Sequence, residues 1–127
     1  NSGEFDETCQ NKVIDFMPGQ SNEVEKGGTL RLGAYPCVIK PGTTMARCYG
    51  AESVMERHRH RYEFNNRYRD AYEAAGMRCV GLNPESGLVE IVEIPGLRWF
   101  IGTQFHPEYA TTVLSPHPLF MDFVKTL

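Results

Sequence analysis

Trp99-Phe100-Ile101-Gly102-Thr103-Gln104-Phe105-His106-Pro107-Glu108-Tyr109 is an apolar run that stops abruptly at a histidine, a proline and a carboxylate. Aromatic and β-branched residues bounded by such a breaker predict a buried strand that delivers His106 to its end. Histidine is the side chain best suited to moving protons near neutral pH, and a carboxylate two residues on can fix its tautomer and stabilise the imidazolium. Pro107 cannot donate to a ladder and pins the backbone between the two, so His106 and Glu108 are expected on a rigid corner. The same residues also fit a plainer role, a strand end whose histidine is a half-buried hydrogen-bonding group.

Working outward, Pro95-Gly96 turns the chain into this strand from Leu88-Val89-Glu90-Ile91-Val92-Glu93-Ile94, which predicts an antiparallel pair. Glu90 and Glu93 break strict alternation, so both faces of that strand must be partly covered. Residues 31–39 read as a further strand, in which Pro36 favours an edge or a bulge, and residues 77–82 as another. Residues 44–56 hold a short helix or an irregular crossing that breaks at Gly50. Asn65 or Asn66 caps a helix over about 67–75, with Gly76 just past its end. Pro118 is expected at the first position of a C-terminal helix carrying an apolar stripe of Leu119, Phe120, Phe123 and Val124. Residues 1–28 read as a connector with one small strand at 13–17.

The densest charge lies in Arg57-His58-Arg59-His60-Arg61-Tyr62-Glu63. Strand alternation puts Arg57, Arg59 and Arg61 on one face and His58 and His60 on the other. Guanidiniums on one face repel unless anions meet them, and arginine suits bidentate capture of carboxylate or phosphate. An anion site therefore stands beside a solvated sheet edge as a reading of this run. The two histidines alone are too few ligands for a zinc site, and no metal is expected.

Composition narrows the class. A chain of 127 residues, 41% hydrophobic, with 12 Gly and 8 Pro, suits one α/β domain or a piece of one. A net charge of -3 and a pI near 5.8 speak against capture of nucleic acid or an anionic membrane by the whole surface. No apolar run approaches the ~20 residues that span a bilayer, and the polar start has no signal-peptide character, so a cytoplasmic protein is expected. Cys9, Cys37, Cys48 and Cys79 sit singly, without C-x-x-C spacing, and read as free thiols.

Three stretches together carry a resemblance: Gly27-Gly28-Thr29-Leu30-Arg31-Leu32-Gly33-Ala34, the arginine-histidine run continued through Phe64 to Asn65, and Gln104-Phe105-His106-Pro107-Glu108. The chain resembles the CTP synthase family, in the second half of that family's class I glutamine amidotransferase domain, over about residues 27–124. The resemblance implies a partial flavodoxin-like α/β domain, a mixed sheet with flanking helices. It implies His106 as general base and Glu108 as its orienting acid in a Cys-His-Glu triad that releases ammonia from glutamine, with Arg61 binding the glutamine. For an intact protein it implies amination of UTP to CTP, activation by GTP, inhibition by CTP and a homotetramer. ATP and magnesium would be held by a synthetase domain outside these residues, and no cofactor is expected within them.

The family's nucleophile sits in a Gly-x-Cys-x-Gly elbow, which these residues lack. Ala46-Arg47-Cys48-Tyr49-Gly50 and Met77-Arg78-Cys79-Val80-Gly81 both miss the first glycine of such a turn. Residues 1–127 are therefore expected to be the C-terminal portion of the amidotransferase domain, inactive alone, with the nucleophile-bearing half-domain and the synthetase domain as partners. The alternatives are another class I amidotransferase, a γ-glutamyl hydrolase, or a non-catalytic anion-binding module. The run from Arg57 to Glu63 favours the first reading over the related enzymes.

Overall fold

Five of the chain's extended segments pair into one sheet in the computed structural model, which describes residues 1–16 and 31–127. Met17 and the Gly27-Gly28-Thr29-Leu30 stretch lie outside the described residues. The strands are β1 (Ile14–Phe16), β2 (Arg31–Ile39), β3 (Ser53–His60), β4 (Tyr62–Phe64), β5 (Arg78–Leu82), β6 (Val89–Glu93) and β7 (Ile101–Thr103). The helices are α1 (Thr44–Tyr49), α2 (Arg69–Ala74) and α3 (Pro118–Lys125). The main sheet has the order β3-β2-β5-β6-β7, and β1 pairs with β4 in a small second sheet. Both sheets pair antiparallel throughout, and a parallel contact occurs at the isolated bridge between Ser2 and Ile14. The α/β class is as expected; short loops join the antiparallel pairs β5–β6 and β6–β7, while β2–β5 and β1–β4 pair antiparallel across longer stretches of chain.

Two apolar clusters bear on the sheet, which explains why β6 is buried along most of its length. Cys37, Ile39, Met45, Val80, Ile91, Phe105 and Leu119 form one, joining the sheet to α1 and α3. Phe64, Cys79 and Val89 form the other, with Tyr72 of α2 and Ile14 of β1 packed against it. Local chemistry sets the helix ends. The Thr43 hydroxyl accepts from the Ala46 N–H at the start of α1, and Gly50 closes it with φ 63°, a left-handed turn that glycine adopts without strain. Glu93 of β6 accepts from the Thr44 N–H at 3.1 Å, placing a carboxylate at the same helix start. Asn65 caps the turn leading into α2, as expected.

Two expectations are corrected, and the edge position expected of Pro36 is met locally. The strand before His106 is short: β7 ends at Thr103, and Gln104 adds one more bond to the Glu90 carbonyl at 2.9 Å before the chain bends. Trp99 is drawn to α3 instead, its indole N–H donating to Asp122 at 2.9 Å and its ring lying 5.0 Å from that of Phe123. Pro36 lies in a strand flanked on both sides, yet β5 pairs only with Val38 and Ile39, so at Pro36 the ladder partner is Met55 of β3 alone. On α3 only Leu119 is buried; Phe120, Phe123 and Val124 remain 40%, 43% and 63% exposed.

Gly81 marks the tightest approach across the sheet. A β-carbon there would lie 2.6 Å from Ile91 Cδ1 and 2.8 Å from Cys37 Sγ, so any side chain must displace fully buried neighbours. Gly81→Ala is expected to cost about 1–3 kcal/mol in equilibrium urea unfolding. Adding Ile91→Val, which removes a methyl group from the contact, should recover part of that loss.

Candidate active site

His106 follows the bend after β7 and serves as N-cap of a one-turn 3-10 helix, Pro107–Ala110, with Pro107 in its first positions. Proline's fixed φ suits that place, where its missing N–H costs nothing. The His106 N–H donates to the Arg57 carbonyl of β3 at 2.9 Å, and its own carbonyl accepts from the Tyr109 N–H at 3.1 Å. The backbone of the histidine is thus held from both sides. Its Nδ1 lies 2.7 Å from Glu108 Oε1. A carboxylate only accepts, so Nδ1 carries a proton, and in the neutral ring Nε2 is the bare lone pair. The hydrogen bond from His106 holds the Glu108 carboxyl below its usual range. Tyr109 stacks on the imidazole at 5.0 Å with an interplanar angle of 18°, a contact the sequence reading did not assign.

The arginine run divides. Arg57 and Arg59 are exposed on β3, at the edge of the sheet, and His58 on the opposite face is buried, as alternation predicts. Arg61 falls at the bend between β3 and β4, so the alternation stops before it and the expectation of three arginines on one strand face is corrected. A strand period holds only while the strand continues. Arg57 and Arg59 line a cavity of about 560 Å³ with Leu32 and Tyr109, the ring stacked on His106. Arg61 lines another of about 420 Å³ with Arg59, His60 and Tyr62, so Arg59 is common to both.

Beneath this surface lies a buried polar cluster that no single motif announced. Arg31 of β2 pairs with Glu90 of β6 at 2.5 Å and faces Glu63 of β4 at 3.7 Å, all three almost wholly buried. Two carboxylates meet one cation, and burial drives both upward, Glu63 to about 7. His58 Nδ1 lies 2.7 Å from His60 Nε2, and His60 Nδ1 lies 3.1 Å from the Tyr62 carbonyl. Burial, then the charge of Arg31, pushes His58 down to about 3 and His60 to about 4, so both rings are neutral.

Three of the four thiols within these residues are poorly placed as nucleophiles. Burial pushes Cys37 and Cys48 up to about 12, and raises Cys79 as well. Cys48 sits on α1 and Cys79 on β5, and neither segment forms a sharp strand-to-helix elbow. No helix among the described residues is long and apolar enough to cross a membrane.

Comparison with known proteins places this geometry. The family model for glutamine amidotransferase class-I matches residues 6–126. A CTP synthase of Bacteroides thetaiotaomicron is 63% identical over 125 residues, which cover 98% of this chain and 23% of that protein. A CTP synthase of Rubrobacter xylanophilus is 59% identical over 124 residues, covering 98% and 22%. The solved glutaminase domain of Trypanosoma brucei CTPS with bound acivicin superposes with a TM-score of 0.89 at 35% identity, covering 99% of this chain and 49% of that one. The chain thus spans about a quarter of the length of the curated relatives it matches and about half of the solved domain.

The buried cluster gives stability a definite pH dependence. Below the ordinary histidine value of 6.5 the unfolded chain takes up protons that folded His58 and His60 refuse, so stability falls as the pH drops toward about 4. Glu63 acts oppositely: raised from 4.5 to about 7, it holds a proton that the unfolded chain releases, and its contribution is lost as the pH rises through that window. Glu90, also raised by burial, acts in the same sense as Glu63, so between pH 4.5 and 6.5 the two carboxyls oppose the two histidines and flatten the dependence. In Glu63→Gln, measured by denaturant titration across that range, one opposing carboxyl is gone and the unfolding free energy should rise with pH more steeply than in the wild type.

Proposed function

The chain belongs to the class I glutamine amidotransferases, and on that premise we propose that it supplies the base, the orienting acid and a substrate arginine of a glutamine-hydrolysing site in a CTP synthase. The observation that carries the reading is the 2.7 Å contact from His106 Nδ1 to Glu108 Oε1, which leaves Nε2 free to accept a proton. The identities above, and the glutaminase domain named in the solved neighbour, support glutamine as the substrate.

In this site His106 Nε2 takes the proton of a cysteine thiol supplied by chain outside these 127 residues. The thiolate attacks the side-chain amide carbon of glutamine, and the C–N bond breaks as the imidazolium passes its proton to the departing nitrogen. Ammonia leaves and a thioester remains. His106 then takes a proton from water, which attacks the thioester; glutamate is released and the thiol is restored. Throughout, Glu108 keeps Nδ1–H in place and stabilises the charged ring. Arg61 meets the α-carboxylate of glutamine with a forked, charge-assisted bond.

In the intact protein the ammonia aminates UTP to CTP with ATP and magnesium, on a synthetase domain outside these residues. GTP activation and assembly into a tetramer belong to the same proposal.

Two substitutions in the intact protein test it. His106→Ala should lower glutamine-dependent CTP formation by ~10²-fold or more while leaving the reaction with added ammonia intact. Equal loss of both activities would assign His106 a structural role. Arg61→Ala should weaken glutamine use by about one to two orders of magnitude, the worth of a hydrogen bond to a charged group. Lysine at that position should rescue it only in part, because it cannot reproduce the fork.

A further inference from the structure

We propose that His58 and His60 are positioning residues for the glutaminase site: a one-way hydrogen-bond chain from His58 through His60 to the main-chain carbonyl of Tyr62 fixes the bend that presents Arg61. The inference rests on the functional reading above for what Arg61 does, and on the geometry and burial of the two rings for the chain itself.

The direction of the chain follows from its last member. The Tyr62 carbonyl can only accept, so His60 Nδ1, 3.1 Å away, carries a hydrogen. His60 is neutral in its buried place beside Arg31, so its Nε2 is a bare lone pair. Only one proton fits in the 2.7 Å between that nitrogen and His58 Nδ1, and His58 therefore donates it. Both imidazoles are in this way committed to the Nδ1–H tautomer. His58 Nε2 then faces Glu90 Oε2 at 3.6 Å, beyond hydrogen-bond reach, and both atoms are buried without another partner. A carboxyl that retains its proton relieves that contact, and burial drives Glu90 in this direction.

The position of the chain gives it a task. Arg61 is the single residue between β3 and β4, which belong to different sheets. His60 bridges the two strands across that residue. His58, one step back, packs edge-on against Phe105 at 5.9 Å, the residue before His106, whose N–H is held by the neighbouring Arg57 carbonyl. One pair of rings therefore sits behind both the base and the substrate arginine.

The test uses the intact protein and three readouts: glutamine KM, the ammonia-dependent rate, and the nitrogen spectrum of histidine-labelled wild type. His60→Leu, which removes the donor, should raise glutamine KM about tenfold or more while the ammonia-dependent rate stays within about threefold. His60→Asn places an amide N–H where Nδ1 stood and should return KM to within about threefold of wild type. An unchanged KM in His60→Leu, or parallel loss of both activities in His60→Leu and His60→Asn, would overturn the proposal. Both rings should appear as Nδ1–H tautomers in the spectrum, and an Nε2–H signal from either would overturn it even if no variant folds. Wild-type protein with both tautomers in place but no ammonia release from glutamine would instead overturn the functional reading on which the role of Arg61 rests.

Discussion

One buried guanidinium holds the two sheets together. Arg31 leaves β2 and meets Glu90 on β6 and Glu63 on β4, while its face lies 4.5 Å over the Tyr35 ring. Removing one partner from a buried arrangement of this kind typically costs ~3–5 kcal/mol, because a charge is stranded, whereas the assembled cluster adds little net stability. Its effect is on register. Glu63 can reach Arg31 only if β4 continues β3 after a bend of one residue, and that bend is where Arg61 sits. Burial, and after it the same positive charge, keeps His58 and His60 neutral, so a surface that collects arginines has uncharged imidazoles directly beneath.

β3 has a different role on each side. It is an edge strand, which ordinarily invites unwanted pairing, and exposed arginines are among the side chains that discourage it. Its carbonyl at Arg57 is used by the backbone of His106, which brings the 3-10 turn of Pro107–Ala110 against the strand. Farther along, buried Glu56 accepts from Tyr49 at 2.5 Å and from His117 at 2.8 Å, tying α1 and the start of α3 to the same strand. The His117 Nδ1 in turn accepts from the Leu119 N–H and caps α3. A single strand thereby indexes His106, the arginines and two flanking helices.

Much of this was legible in the sequence where a local pattern is decisive. The strands around residues 31–39, 78–82 and 89–93 follow from apolar runs bounded by turns, and Thr43, Gly50, Asn65 and Pro118 mark helix ends for reasons of hydrogen bonding and φ alone. The pairing of His106 with Glu108 was legible because proline leaves two flanking side chains few ways to diverge. What stayed hidden was set at long range. Alternation from Arg57 carried on to Arg61 because nothing local signals the bend; Glu63 and its buried cation, 32 positions upstream, impose it. The apolar stripe of α3 was overstated for a similar reason: periodicity finds a face, but the extent of its burial depends on what α1 and Trp99 can cover.

The exposure of the base and acid bears on how the proposed chemistry is switched on. His106 and Glu108 side chains are 36% and 53% exposed, and a contact so open to water gains little from the charge of Glu108. Orientation therefore comes from the backbone: the Arg57 carbonyl, the turn begun by Pro107 and the stacked Tyr109 ring fix Nε2 before any substrate arrives. Electrostatic stabilisation of a developing charge needs water to be excluded, since the same dipoles are worth far more in a low dielectric. In the proposed site that exclusion is completed by the thiol-bearing chain and by glutamine itself, so the base gains its full strength only as the substrate closes over it. In that proposal, a rigid but open arrangement avoids burying a charged imidazolium until the reaction creates one.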